Sequence, residues 1–345
     1  MKEYFSGKRI LITGHTGFKG RWLTSWLSFW GAEVFGLSLL SQGIKHSLEF
    51  GALSEDRSFD IDILDKEALK SFLDEIKPQI IFHMAAQSLV LKSFTKPFET
   101  FQTNTVGTLN LLENLRELNF QTNVIIVTSD KCYRNHDYNR MSEDSPLGGD
   151  DPYSASKAGA EIIFHSYANL LKDSNVQAIS VRAGNVIGGG DWNENRLVPD
   201  FIKAWDQNQK LFVRNYNGQR PWQHVLDCLN AYLLSAYHLE RRPELHGESF
   251  NFAPLNQSIE VRKVIEILKQ EFPEVILHSE ANTGTYEKKA LLLDTSKARS
   301  LISWQEKLES VEAIRLTSFW YKEYFKNPDK ANQITINQLE EYLSL

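Results

Sequence analysis

A chain of 345 residues has room for one large domain or two smaller ones, and 42% hydrophobic residues suffice to close a core. The net charge of -6, without a basic stripe, argues against nucleic acid as a partner. Cys132 and Cys228 supply neither a disulfide framework nor metal-ligand spacing, so no metal site is expected.

The first apolar run, residues 9–13, is too short for a signal peptide or a membrane span, and a cytoplasmic protein with no membrane partner is expected. This run reads as a strand and leads into Gly14-x-x-Gly17-x-x-Gly20. Trp22, Leu23, Trp26, Leu27 and Trp30 then recur at helical spacing, a stripe predicted to pack in the core, and Gly31 ends the helix. Glycines between a strand and a helix let the backbone approach a pyrophosphate, and the helix N-terminus favours the anion. The cradle consists of Gly14, Thr16, Gly17, Phe18, Lys19 and Gly20. Residues 34–37 form the second strand, but Ser38 and Leu39 stand where a ribose-reading carboxylate is usual, so this feature does not choose between NAD and NADP. Asp62 and Ile63 follow a third strand. On spacing, Asp62 is either an acceptor for an adenine amine or a solvated loop acid.

Residues 68–76 are helical, Pro78 stops them, and 79–84 make a strand ending in Ala85-Ala86-Gln87, small enough for a cofactor's close approach. A single helix is predicted over 98–118, carrying Asn104 and Gly107. The apolar run 124–127 ends abruptly at Thr128-Ser129-Asp130-Lys131, as a buried strand does when it reaches a site. After a turn-rich segment come Tyr153 and Lys157, four apart at the start of a helical pattern and therefore on one face. A neighbouring cation favours the phenolate, and lowering a phenol by about three units takes about 4 kcal/mol.

Tyr-x-x-x-Lys alone is a common spacing. The alternation of strands and helices up to Val181, however, argues for a doubly wound parallel sheet, whose ligands sit beyond the carboxyl ends of the strands. The glycine turn, 85–87 and 129–131 all lie at such ends, which marks Tyr153 and Lys157 as a candidate active site. Beyond Val186, Gly188-Gly189-Gly190-Asp191-Trp192-Asn193 reads as a flexible ligand-facing loop, and Arg196, Arg214 and Arg220 are suited to phosphate oxygens or to plain surface charge. Helices are predicted over 225–239, 261–272 and 311–325, and a strand over 250–252.

The glycine turn, Ala85-Ala86-Gln87, Ser129 and Tyr153-x-x-x-Lys157 resemble the extended short-chain dehydrogenase/reductase family, in its NAD-dependent epimerase/dehydratase branch. Longer strings at 15–20, 128–133, 182–192 and 220–225 resemble the CDP-glucose 4,6-dehydratases of that branch. The resemblance implies a Rossmann-type domain over 1–185 and about 226–253, and a smaller α/β nucleotide-sugar domain over 186–225 and 254–345. It implies NAD as cofactor, CDP-glucose as substrate, a homodimer, and a place in the deoxysugar biosynthesis that feeds lipopolysaccharide.

In that chemistry Tyr153 takes the proton of the C4 hydroxyl, and Lys157 steers the phenol and holds the nicotinamide ribose. Ser129 orients the C4 oxygen, and Asp130, protonated, serves the departing C6 hydroxyl. Lys131 stands where sister dehydratases carry a glutamate that takes the C5 proton, acting either as a neutral base or as a cation that stabilises the enolate. The resemblance also places Gln87, Asn185, Arg196, Leu197, Arg214, Arg220 and Tyr286 at the nucleotide sugar, with Tyr286 where the family has a histidine-containing stretch. The alternatives are another nucleotide-sugar 4-epimerase or 4,6-dehydratase, or a catalytically inactive dinucleotide-binding regulator.

Overall fold

The computed structural model describes residues 1–39, 50–134, 140–213, 215–254, 258–279 and 292–345. Seven strands form one parallel sheet: β1 (Arg9–Thr13), β2 (Glu33–Ser38), β3 (Ser58–Asp60), β4 (Ile80–His83), β5 (Thr122–Val127), β6 (Val176–Ala183) and β7 (Ser249–Phe252). Their order across the sheet is β7-β6-β5-β4-β1-β2-β3. Strands β1, β4 and β5 carry runs of Ile, Leu, Val and Phe because helices cover both faces. On one face lie the helices Phe18–Phe29 and Val225–Arg241, and the predicted tryptophan stripe is core, with Trp22 and Trp26 fully buried. On the other face, Leu69, Phe72, Leu111, Leu115 and Phe164 close a second core.

The strand order reverses between β1 and β4, which pair in register from Ile10 with Ile80 to Thr13 with His83. At that switch point the Thr13 hydroxyl accepts from the backbone N–H groups of Met84 and Ala85, both at 3.1 Å, tying the two strand ends together. Ligands of open parallel sheets bind in the crevice that such a reversal opens.

Three two-stranded ribbons lie outside the sheet among the described residues: Val186–Ile187 with Gln223–His224, Lys210–Val213 with Ile276–Ser279, and Gln219–Arg220 with Ile259–Glu260. The helix Ser310–Lys326 buries Trp320 and Tyr321, and the last helix, Ala331–Ser344, sets Tyr342 edge-on against Trp26 at 5.6 Å. Among the described residues, no helix is long and apolar enough to cross a membrane.

Two local expectations are corrected. The helix predicted over 98–118 is helical over Pro97–Phe101 and Gly107–Arg116, with a π-helical turn, Gln102–Val106, between. The turn places Asn104, whose side chain accepts from the Gln87 N–H at 2.8 Å and donates to the Gln87 carbonyl at 3.0 Å and to Ser156 Oγ at 2.9 Å. Such tertiary bonds outweigh a regular ladder, and π turns gather at functional sites. The segment 188–190 is not a flexible loop. Its glycines are buried, Trp22 Nε1 donates to the Gly189 carbonyl at 2.9 Å, and Arg21 Nη2 donates to that of Gly190 at 2.7 Å.

Candidate active site

Three strand ends build the site. After β1, Gly14 takes φ +76°, and a Cβ there would lie 2.8 Å from the Ala85 nitrogen. A Cβ at Gly20 would lie 2.3 Å from the Gly14 carbonyl oxygen. Any side chain at either position collides with backbone, so the turn stays bare and the helix Phe18–Phe29 starts hard against it. The Thr16 N–H donates to Ser38 Oγ at 3.3 Å, and Ser38 Oγ lies 2.9 Å from His15 Nδ1. At the end of β2, where a carboxylate is usual, a hydroxyl instead braces the glycine turn. The Lys19 ammonium reaches away from the turn and donates to Tyr232 Oη at 2.9 Å.

Beyond β3, Asp62 accepts from the Leu64 N–H at 2.9 Å, and Ile63 is buried, its side chain filling the space that a Cβ on Gly107 would need. Beyond β4, Ala85 and Ala86 are half-buried. The Gln87 amide folds into its own loop, donating to the Leu89 carbonyl at 3.1 Å and to Thr100 Oγ1 at 3.0 Å.

The third strand end carries the polar cluster. Ser129, Asp130, Tyr153 and Lys157 are all buried. The Ser129 hydroxyl donates to Asp130 Oδ1 at 2.9 Å and accepts from the Lys131 N–H at 3.2 Å, with the Tyr153 phenol beside it. The side chain of Lys131 is exposed. Tyr153 and Lys157 belong to the helix Pro152–Leu171, which Asp151 caps by accepting from the Ser154 N–H at 2.9 Å. The Lys157 ammonium donates to the Val127 carbonyl at 3.3 Å.

Burial pushes the Tyr153 phenol up to about 12, against the pull of the Ser129 hydrogen bond. Burial and the Lys19 ammonium bring Lys157 down to about 8, with Glu161 opposing. A phenol held up and an ammonium held down, one turn apart, are a pair whose proton the surroundings can move.

From the small ribbons' side, Arg196 Nη1 pairs with Asp191 Oδ2 at 3.0 Å, and its Nη2 donates to Ser88 Oγ at 3.3 Å, bridging to the loop after β4. Burial works against its charge, but Asp191 outweighs it and raises the guanidinium further. Leu197 opens the helix Leu197–Asp206 beside it. Asn185 takes φ +52° and offers its carbonyl to the Gln223 N–H at 3.2 Å. Arg220 ends a ribbon strand, its Nη1 donating to the Gln219 carbonyl at 2.7 Å. Arg214 and Tyr286 lie outside the described residues. Among the described residues no group of three or more His, Cys, Asp or Glu is placed to hold a metal ion.

Sequence reading missed three residues that shape this site. Tyr232 anchors Lys19 across a long sequence separation, and Asp191 anchors Arg196 from five residues before it. Gly184 is bare because a Cβ there would lie 2.2 Å from the Asp130 carboxyl group. An aspartate directly after three glycines was the one available signal, for Asp191.

A family model described as GDP-mannose 4,6 dehydratase matches residues 11–317. The chain belongs to this family. Its relatives include the CDP-glucose 4,6-dehydratase of Salmonella typhimurium, 36% identical over 95% of this chain and 94% of that protein. This GDP-mannose 4,6 dehydratase family member also shares its fold with solved epimerases. An epimerase of Methanothermobacter thermautotrophicus superposes with a TM-score of 0.83 at 23% identity, covering 96% of this chain and 97% of that one. A UDP-glucose 4-epimerase from Brucella ovis, solved in complex with NAD, gives 0.78 at 22%, covering 90% and 97%. The expected Rossmann-type parallel sheet and extended short-chain dehydrogenase/reductase membership are both borne out.

Proposed function

We propose that the chain is an NAD-dependent CDP-glucose 4,6-dehydratase that makes CDP-4-dehydro-6-deoxyglucose. The observation that carries this reading is the buried Asp130 beside Ser129 and Tyr153. A 4-epimerase loses no hydroxyl and needs no acid there, whereas a dehydratase must protonate the oxygen that leaves. The Salmonella typhimurium relative supports CDP-glucose as the substrate.

The bare turn at Gly14 and Gly20 fits a dinucleotide pyrophosphate, because a Cβ at either position meets backbone. Gly17, Thr16, Phe18 and Lys19 complete the cradle, with Asp62 and Ile63 toward the adenine and Ala85, Ala86, Gln87 and Asn104 toward the nicotinamide side. When bound, NAD would supply the hydride acceptor for sugar carbon C4 and the hydride donor for C6. Tyr153 removes the C4 hydroxyl proton, Ser129 orients that oxygen, and Lys157 favours the phenolate. Each unit by which the phenol is drawn back from about 12 requires about 1.4 kcal/mol, supplied by cationic charge in a dry site. Asp130 gives the proton that turns the C6 hydroxyl into water, and Lys131 acts on the C5 side.

On this reading residues 1–185 and about 226–253 hold the cofactor. Residues 186–225 and 254–345 hold the nucleotide sugar, with Asn185, Arg196, Leu197 and Arg220 along the cleft. The working form is a cytoplasmic homodimer. Phe94, Phe98, Phe101, Val106 and Ile162 support it, exposed on helices that pack side by side. Incubation with CDP-, UDP-, dTDP- and GDP-linked sugars plus NAD, followed by mass analysis, tests the function. Loss of one water from CDP-glucose alone is expected. An isomer of unchanged mass means an epimerase, and no reaction with any sugar refutes the reading.

A further inference from the structure

Tyr153, Lys157 and Glu161 recur every fourth residue along one helix, and each meets the end of β5. Tyr153 lies beside Ser129, Lys157 bonds the Val127 carbonyl, and Glu161 Oε1 accepts from the Thr128 hydroxyl. Successive turns of one helix face thus grip residues 127, 128 and 129. The first two contacts belong to groups with a place in the proposed chemistry. The third does not, yet it is the most deeply buried, with Glu161 at 0% exposure.

A buried carboxylate is costly unless fully paired. Glu161 Oε2 accepts from Arg182 Nη2 at 2.7 Å and from Ser180 Oγ at 2.8 Å, with Ser249 Oγ at 3.3 Å and His165 Nε2 at 3.7 Å. Arg182, itself at 0% exposure, also donates to Tyr133 Oη at 2.7 Å, and Tyr133 donates to Asn251 Oδ1 at 2.7 Å. The network links β5, β6, β7 and the helix below the site and makes one contact upward, to Thr128. The Thr128 N–H is separately fixed to the Val181 carbonyl at 2.9 Å, so the strand pairing does not need the hydroxyl.

We infer that Glu161, backed by Arg182, is a positioning residue: through the Thr128 hydroxyl it fixes where Ser129 stands relative to Tyr153. The inference rests on the proposed function for its kinetic test and on geometry alone for its structural one. Thr128→Val keeps the branched shape and leaves Glu161 its bonds to Arg182 and Ser180. With CDP-glucose, kcat should fall by about tenfold to a hundredfold, the scale of a small misplacement of reacting groups. KM should stay within about twofold and Tm within a few degrees, and Thr128→Ser should restore kcat.

A wild-type rate in Thr128→Val, or a loss that Thr128→Ser does not repair, overturns the inference while leaving the function intact. If the wild-type protein is inactive on CDP-glucose, the functional reading fails and crystal structures of the wild-type and valine proteins decide the inference. A Ser129 displaced relative to Tyr153 only in the variant supports it, and an unmoved Ser129 refutes it.

Discussion

Gly184 supplies the space that Asp130 occupies: a Cβ at 184 would lie 2.2 Å from the Asp130 carboxyl carbon. The acid thus depends on a missing side chain in the residue that follows β6. Gly184→Ala should displace the carboxylate and break its hydrogen bond from Ser129, with little effect on the rest of the sheet. The expected result is a folded protein that oxidises C4 but loses water at least about tenfold more slowly, the usual weight of one general acid being larger still. Stopped-flow absorbance of the reduced cofactor, read beside mass analysis of the sugar, checks it. A variant as fast as wild type removes Asp130 from the elimination step.

The Tyr153–Lys157 pair sets a pH dependence. Lys157 sits at about 8 in its buried site, so its ammonium is present below that pH and lost above it. Loss of this cation withdraws support from the phenolate, and kcat/KM should fall as pH rises through the Lys157 range. Tyr153→Phe should lose nearly all turnover at every pH. It keeps the buried ring and removes only the hydroxyl, so its Tm should barely move. A folded phenylalanine variant with appreciable turnover rules out the phenol as the base.

The proposed dimer makes a separate claim. Phe98 is 72% exposed on Pro97–Phe101, a helix packed against the one that carries Tyr153. Phe98→Asp should convert a dimer into a monomer by light scattering, with little change in monomer stability because the side chain packs on little of its own chain. A wild-type protein that is already monomeric at micromolar concentration refutes the dimer.

The sheet was legible because its central strands are buried on both faces and therefore spell unbroken apolar runs between turn residues. The site was legible for a related reason. Ser129, Asp130 and Lys131 interrupt such a run, and Tyr153 and Lys157 share a helix face by spacing alone. What escaped depends on distant partners. The π turn at 102–106 is held by Asn104 bonding Gln87 and Ser156, neither of them local. Glu161 and Arg182 look like solvent-facing charges within apolar surroundings, and only their pairing at 2.7 Å lets both be buried. The Ser38 hydroxyl gains its meaning from Thr16 and His15, which the fold brings to the end of β2.

The proposed function gives Lys131 a part in removing the C5 proton. It follows Asp130 in the short 3-10 turn Asp130–Cys132, and its backbone N–H supports the Ser129 hydroxyl at 3.2 Å while its side chain stays exposed. Removing that side chain leaves the N–H in place, so Lys131→Ala keeps the brace on Ser129 and should cost within about 0.5 kcal/mol of stability, as exposed substitutions do. Any kinetic change then reports the ammonium itself. Oxidation at C4 acidifies the C5 proton, and the lysine either takes it or stabilises the enolate oxygen as a fixed cation. Both roles come after oxidation. Lys131→Ala should therefore accumulate bound reduced cofactor, visible by its absorbance, while solvent deuterium fails to enter the sugar at C5. Lys131→Arg separates the two roles: an arginine keeps the charge but cannot act as a base, so recovered exchange assigns the cation and continued failure assigns the base. If the alanine variant exchanges the C5 proton and turns over at close to the wild-type rate, Lys131 has no part in the elimination.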